Sequence, residues 1–209
     1  MKIVEASAEL LSITDMPAEL IEKAARVCYK SEEQIAPGSA DRLIKSCMNK
    51  HHMSIIEHGV ASFRIICDRG ISHEIVRHRI ASYSQESTRY CNYGKDKFGN
   101  EITVVEPPGL DWETSRSHWV SAMLNAETSY FKLLEAGCTP QIARSVLPTC
   151  LKTELIMTAN FREWRHFIDL REAKTAHPQI RPLATQIRKI LIERCPAVFG
   201  DLIGVENGT

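Results

Sequence analysis

The chain has 209 residues, 44% of them hydrophobic and 25% charged, as in an ordinary globular protein with a sizeable core. Its 26 basic side chains are balanced by 26 acidic ones. Zero net charge argues against a general nucleic-acid binder, which carries a basic excess, so any cationic site has to be local.

Seven cysteines, an odd number with no Cys-x-x-Cys, fit neither a disulfide framework nor a zinc ribbon. The opening Met-Lys-Ile-Val-Glu lacks the apolar stretch of a signal peptide, and no apolar run reaches membrane-spanning length. A reduced, cytoplasmic protein is expected.

Residues 2–6 read as a first strand. Asp15 and Pro17 punctuate the start of a helix running to about residue 29, with Leu20, Ile21, Ala24, Ala25 and Val27 on its apolar side. A polar loop spans 31–38 and a second helix 40–50. His51, His52, Glu57 and His58 invite a metal, but His52 and His58 lie six apart, off a common helical face, and no second cluster completes a site. Capping and core polar contacts are the ordinary alternative.

Residues 61–67 alternate as a strand. A short helix over 71–76 follows, with Ser72 as N-cap, running on to about Arg79. It holds His73 and Glu74, but Arg77 stands where a zinc protease needs its second histidine. Arg77, His78 and Arg79 would fan about 100° apart around the helix end. Behind them Ser82, Ser84, Gln85, Ser87 and Thr88 crowd hydroxyl and amide groups into what reads as a structured loop, closed by Arg89. Cations at a helix C-terminus are worth about 0.3–1 kcal/mol each against the dipole. That explains one or two of them. The whole cluster points to an anion site, because arginine forks match phosphate and carboxylate.

Residues 92–100, with Gly94 and Gly99, read as a hairpin loop or mobile insert, and 101–106 as a strand. The longest helix is expected over 112–136, where Trp119, Met123, Ala126, Tyr130, Leu133 and Leu134 recur at helical spacing and Gly137 stops it. Thr139-Pro140 starts a helix carrying Arg144, either a snorkelling surface residue or a buried anion ligand. A strand over 153–160 leads into a helix over 161–171, with Asn160 at its entry, Arg162, His166 and Asp169 on one face, and Arg171 on its last turn. Residues 178–194 form a final amphipathic helix with Ile180, Leu183, Ile187, Ile190 and Leu191 inward, and 200–209 a frayed tail. With no repeat or linker, a single domain over 1–209 is expected. Ten glycines include no Gly-x-Gly, so phosphate must be held by arginines and helix ends instead of a glycine-rich loop.

Arg77-His78-Arg79, seven residues, then Ser87 resembles the signature of the flavin-dependent thymidylate synthases. The resemblance runs from about Arg26 to Pro196. It includes residues 24–29, the segment His52-x-Ser54-x-x-Glu57-His58, Ala143-Arg144 with Leu147-Pro148, and Asn160-x-Arg162 followed by His166 and Leu170-Arg171. Glu74 stands where some members carry Gln, and Ser84 and Gln85 replace an Asn and a Glu. The resemblance implies an α+β fold, a mixed sheet with flanking helices, assembled as a homotetramer with active sites shared between subunits. It implies reductive methylation of dUMP to dTMP. The carbon donor is 5,10-methylenetetrahydrofolate, the hydride donor is NADPH-reduced FAD, and tetrahydrofolate is released. Glu74, Ile75, Val76, Arg77, Gln85, Glu86, Ser87, Thr88, Arg89, Arg144 and Arg171 would bind dUMP. Arg171 would polarise the uracil near N3 and O2, and Ser87 would act as a ligand instead of a nucleophile. Ser54, Arg77, His78, Arg79, Gln85, Asn160, Phe161, Arg162 and His166 would bind FAD, and His52 the folate or NADPH. No metal, nucleic acid or membrane is implied. The alternative is a non-catalytic, nucleotide-binding regulatory module built on the same arginines.

Overall fold

In the computed structural model, described here for residues 1–203, the elements run β1 (Lys2–Val4), β2 (Ser7–Ile13), α1 (Pro17–Val27), α2 (Ser39–Asn49), β3 (Val60–Asp68), α3 (Arg69–Ile75) and β4 (Ala81–Gln85), then β5 (Thr103–Val105), α4 (Ser115–Glu135), α5 (Pro140–Ala143), β6 (Lys152–Asn160), α6 (Phe161–Glu172), α7 (Ile180–Arg194) and α8 (Pro196–Phe199). Short 3₁₀ turns intervene, among them Met53–His58 and Arg144–Val146. The strands form a four-stranded sheet ordered β2-β3-β6-β4 and a two-stranded sheet in which β1 and β5 are parallel, Ile3 opposite Val104. The α+β class expected from the sequence is the one adopted. Among the described residues, no helix is long and apolar enough to cross a membrane.

The chain divides into two compact units. The first comprises Met1–Ser7, Ile66–Val76 and Ser84–Leu155. Its core gathers Tyr93, Ile102, Val104, Met123, Tyr130, Ala143 and Leu151. Helix α4 supplies Met123 and Tyr130 from its apolar stripe, with Trp119, Leu133 and Leu134 partly buried against them. Gly137 ends the helix in the left-handed region at φ 87°, where a Cβ is unfavourable.

The second unit holds Ala8–Ile65, Arg77–Tyr83 and the residues from Ile156 on. Its core is aromatic: Phe63 meets Trp164 edge-on at 4.9 Å, Trp164 meets Phe167 at 5.6 Å, and Phe161 meets Phe199 at 5.2 Å. The buried Trp164 indole donates to the Ala61 carbonyl, so no polar atom of the ring is left unsatisfied. Gly59 is required here. A Cβ on it would stand 2.4 Å from the Phe161 ring, whose residue also donates its backbone N–H to the Gly59 carbonyl. Helix α7 adds Ile180, Leu183, Ile187 and Leu191 as its periodicity predicts.

Several expectations need correction. Strand β2 is an addition to the expected elements; its half-exposed residues belong to an outer strand of the four-stranded sheet. Leu20 and Val27 of α1 are exposed, and the buried face is Ile21, Glu22, Ala25 and Arg26. The charged pair is tolerated because Arg26 Nε donates to Glu22 Oε1 at 2.7 Å, and Ser39 Oγ donates to the same carboxylate at 2.6 Å. Helix α3 starts earlier than Ser72 and stops at Ile75, before Arg77. Its N-cap is Asp68, whose carboxylate accepts from the Ile71 N–H at 2.6 Å. The front of the hydroxyl-rich segment, Ser82 to Gln85, is strand β4 and not loop, because neighbouring β6 supplies the backbone partners that local composition cannot; Ser87, Thr88 and Arg89 lie in the turn after it, as expected. Residues 92–100 form no hairpin but a turn with a short 3₁₀ segment, Asp96–Phe98. Of the expected tail, Gly200–Leu202 is a 3₁₀ turn in which Asp201 pairs with Arg165, and residues 204–209 lie outside the described residues.

Asp68 is 5% exposed, so its cap is a stabilising contact shielded from water. Asp68→Ala should lower stability by about 1 kcal/mol. Chemical denaturation checks this, and an unchanged midpoint would return the capping role to Ser72.

Candidate active-site clusters

The predicted site residues fall into two clusters, one in each unit. In the first unit, α3, the loop after β4, α5 and the segment that follows it converge on a cavity of about 530 Å³. Arg69, His73, Thr88, Gln141, Arg144 and Ser145 line it, together with Leu147, Pro148, Thr149 and Leu151. Its lining holds two guanidinium groups and no carboxylate, which suits an anionic ligand. Arg144 is exposed at the cavity wall, so it is not the buried residue that one of its two readings required; its Nη1 donates to the hydroxyl of buried Thr88 at 3.2 Å. Arg89 is exposed, donates through Nε to Gln141 Oε1 at 2.9 Å and stacks near the Tyr90 ring.

Gln85 is locked: its amide donates to Ser72 Oγ at 3.0 Å and Thr153 Oγ1 at 3.1 Å. The Glu86 carboxylate is equally committed, accepting from Tyr93 Oη at 2.8 Å and Lys152 Nζ at 2.9 Å. Burial and that carboxylate push the Tyr93 phenol well above the usual tyrosine range, so it stays a neutral donor. The Glu86 backbone N–H is committed too, donating to the Glu154 carbonyl at 2.8 Å. Ser87 Oγ accepts from the Arg89 N–H at 3.3 Å, and among the described residues no carboxylate or imidazole hydrogen-bonds to it. Glu74 is half-buried on α3, Ile75 is fully buried and Val76 is 36% exposed.

In the second unit, Glu57, Ile80, Asn160, Arg162, Glu163 and His166 line a cavity of about 390 Å³. Asn160 caps α6, its Oδ1 accepting from the Glu163 N–H at 2.9 Å. Arg162 pairs with Glu57 at 2.7 Å, and Ile80 stands 70% exposed beside them. An apolar side chain, a guanidinium and a helix N-terminus in one cavity are what a flavin nucleotide, with its apolar ring and pyrophosphate, can use. Ser54 and His52 are exposed on and before the 3₁₀ turn Met53–His58, and Arg77 and Arg79 are exposed. Phe161 is fully buried, and its backbone N–H donates to the Gly59 carbonyl.

His78 is only 4% exposed, and both its ring nitrogens are engaged. Nδ1 lies 2.8 Å from Glu163 Oε1, and Nε2 accepts from Arg171 Nε at 3.1 Å. The ring packs near His166 and Phe167, and Tyr83 Oη donates to the His78 carbonyl at 2.7 Å. Ligand atoms of His78, Glu163 and His166 lie within 4.8 Å of one another, a set that could hold a cation. Any such ion would have to displace Arg171 or Glu163 from the imidazole. Sequence reasoning missed Glu163, although Asn160-x-x-Glu163 has capping-box spacing. Its carboxylate goes to His78 instead of back to the cap.

Burial, and secondarily Arg171 and His166, lower the His78 pKa below its ordinary 6.5, although Glu163 opposes the shift. The unfolded chain therefore binds more protons than the folded one between the two values. Stability should fall as pH drops below about 6.5 and stop falling once His78's own lower value is passed. Thermal denaturation across that window, compared with a His78→Gln variant that lacks the slope, checks this. A parent midpoint that rises toward acid would contradict it.

Comparison with known proteins agrees with these features. Residues 9–197 match the family described as "Thymidylate synthase complementing protein". A flavin-dependent thymidylate synthase of Mycobacterium avium is 36% identical over 201 residues, covering 87% of this chain and 78% of the relative. One of Geobacter sulfurreducens is 35% identical, covering 92% and 84%. Among solved structures, a UMP/dUMP methylase, PolB, from Streptomyces cacaoi bound with 5-Br dUMP superposes with a TM-score of 0.82 at 25% identity, over 100% of this chain and 99% of that one. These matches select an enzyme over a non-catalytic binding module. The chain belongs to the flavin-dependent thymidylate synthase family and uses FAD as its cofactor.

Proposed function

We propose that the protein makes thymidylate by reductive methylation of dUMP. One dUMP, one 5,10-methylenetetrahydrofolate, one NADPH and one proton yield dTMP, tetrahydrofolate and NADP⁺. The observation that carries this reading is the first-unit cavity, with Arg69, Arg144 and Thr88 on its wall and no carboxylate. A nucleotide monophosphate is the anion of matching size and charge, and the 5-Br dUMP held by the Streptomyces cacaoi methylase supports that choice.

In this reading Arg144, Arg89, Thr88 and Ser87 hold the phosphate. Glu74, Ile75, Val76, Arg77, Gln85 and Glu86 complete the nucleotide site. Arg171 binds uracil near N3 and O2 and draws electron density from the ring. Ser54, Arg77 to Arg79, Gln85, Asn160, Phe161, Arg162 and His166 hold FAD. Bound FAD, once reduced by NADPH, supplies the hydride that completes the methyl group. His52 belongs to the folate or NADPH site. The protein acts as one catalytic domain in a cytoplasmic homotetramer whose active sites are shared between subunits.

Purified protein is expected to be yellow and to release FAD on denaturation. None of the seven cysteines follows a proline, so the Pro-Cys nucleophile of the cysteine-dependent enzyme is missing. The folate product should therefore be tetrahydrofolate, with one NADPH consumed per thymidylate. Chromatographic analysis of the folates tests this. Dihydrofolate released one for one with thymidylate would overturn the reading.

A further inference from the structure

We propose that Glu163 is a positioning residue for the reaction: its carboxylate holds His78 in the tautomer whose Nε2 anchors the Arg171 guanidinium. The inference rests on the assignment of Arg171 to uracil made above.

A carboxylate only accepts and a guanidinium only donates, whereas a neutral imidazole has one donor and one acceptor. Glu163 Oε1 faces Nδ1 at 2.8 Å and Arg171 Nε faces Nε2 at 3.1 Å. Only the Nδ1–H tautomer satisfies both contacts. The opposite tautomer sets a lone pair against the carboxylate and an N–H against the guanidinium. The two bonds are thus coupled through the ring, and breaking one removes the reason for the other.

The surroundings hold the relay still. Glu163 is 6% exposed, and its backbone N–H is tied to the Asn160 cap at 2.9 Å. Tyr83 Oη holds the His78 carbonyl at 2.7 Å, and the Phe167 ring lies 5.0 Å from the imidazole. Glu163 and Arg171 sit on the same helix, α6, at its first and last turns. His78 therefore bridges two ends of one rigid element and takes its orientation from it. Fixing Nε fixes the plane of the Arg171 guanidinium, which a planar pyrimidine edge requires of its donor. A ligand arginine left to search rotamers would lose that entropy at every binding event.

The test uses the full-length, FAD-bound enzyme with ¹⁵N-labelled histidine. In the parent, His78 should show a pyrrole-type Nδ1 and a pyridine-type Nε2; a proton on Nε2 there overturns the proposal without any variant. Glu163→Ala should shift His78 toward the Nε2–H form. It should also lower kcat/KM for dUMP roughly tenfold, the equivalent of one hydrogen bond. Glu163→Gln, which can offer an amide oxygen to Nδ1–H, should restore the parent tautomer and most of the activity. A Glu163→Ala enzyme that keeps the parent tautomer, or methylates at the full rate, overturns the positioning role. A companion Arg171→Ala enzyme tells the two failures apart: if it too methylates at the full rate, the assignment of Arg171 to uracil has failed instead.

Discussion

Arg171→Ala should slow thymidylate formation ten- to hundredfold or more, while reduction of bound FAD by NADPH continues at close to the parent rate. The magnitude follows from the loss of a charge-assisted contact to the uracil, worth about 1.5–3 kcal/mol. A second cost adds to it. Arg171 Nε donates to Nε2 of the buried His78, so truncation leaves an imidazole acceptor without that donor in a site largely closed to water. Because the nucleotide contact is strengthened as charge develops on the ring, the loss should appear in the methylation step and not only in dUMP binding. Stopped-flow measurement separates the two half-reactions, flavin reduction by its absorbance and methylation by quenched product. If both fall by the same factor, Arg171 supports the fold around His78 and does not act on uracil.

Helices α1, α2, α4, α6 and α7 were legible because apolar spacing at three and four residues is a local signal, and α6 was placed to within one residue of its observed end. Strand β4 was not, because Ser82, Ser84 and Gln85 read as loop until β6, some seventy residues later in the chain, supplies its partners. The site divides the same way. Arg144, Arg162 and Arg171 were nominated by the resemblance to the family; read alone, Arg144 and Arg171 are an ordinary surface cation and an ordinary helix-end cation. What those residues touch was not legible. The His78–Glu163 and His78–Arg171 contacts span 85 and 93 residues, and only the folded chain brings them together. The commitment of Glu86 to Tyr93 and Lys152, which removes its carboxylate from a ligand role, is likewise a tertiary fact.

Ser87→Ala should retain thymidylate formation at about one to ten per cent of the parent rate. Ser87 stands where a nucleophile could attack uracil C6, and the alternatives differ enough in size to be told apart. A serine hydroxyl needs a base to become nucleophilic. Its neighbours supply none: the Glu86 carboxylate is held by Tyr93 and Lys152, Arg89 can only donate, and Ser87 Oγ itself accepts from the Arg89 N–H at 3.3 Å. On the proposed assignment, a hydroxyl in that setting serves as a hydrogen-bonding partner for the nucleotide. Losing one such contact costs about 1–3 kcal/mol, roughly ten- to hundredfold. Losing an obligate nucleophile costs on the order of a millionfold, as knockouts of catalytic triads do. The deciding measurement is single-turnover product formation by the Ser87→Ala enzyme with FAD already reduced and dUMP bound at saturation. Residual turnover in the per cent range assigns Ser87 to binding. Complete loss of product, with nucleotide still bound and FAD still reducible, would make it the nucleophile and require a base that the hydrogen bonds around it do not supply.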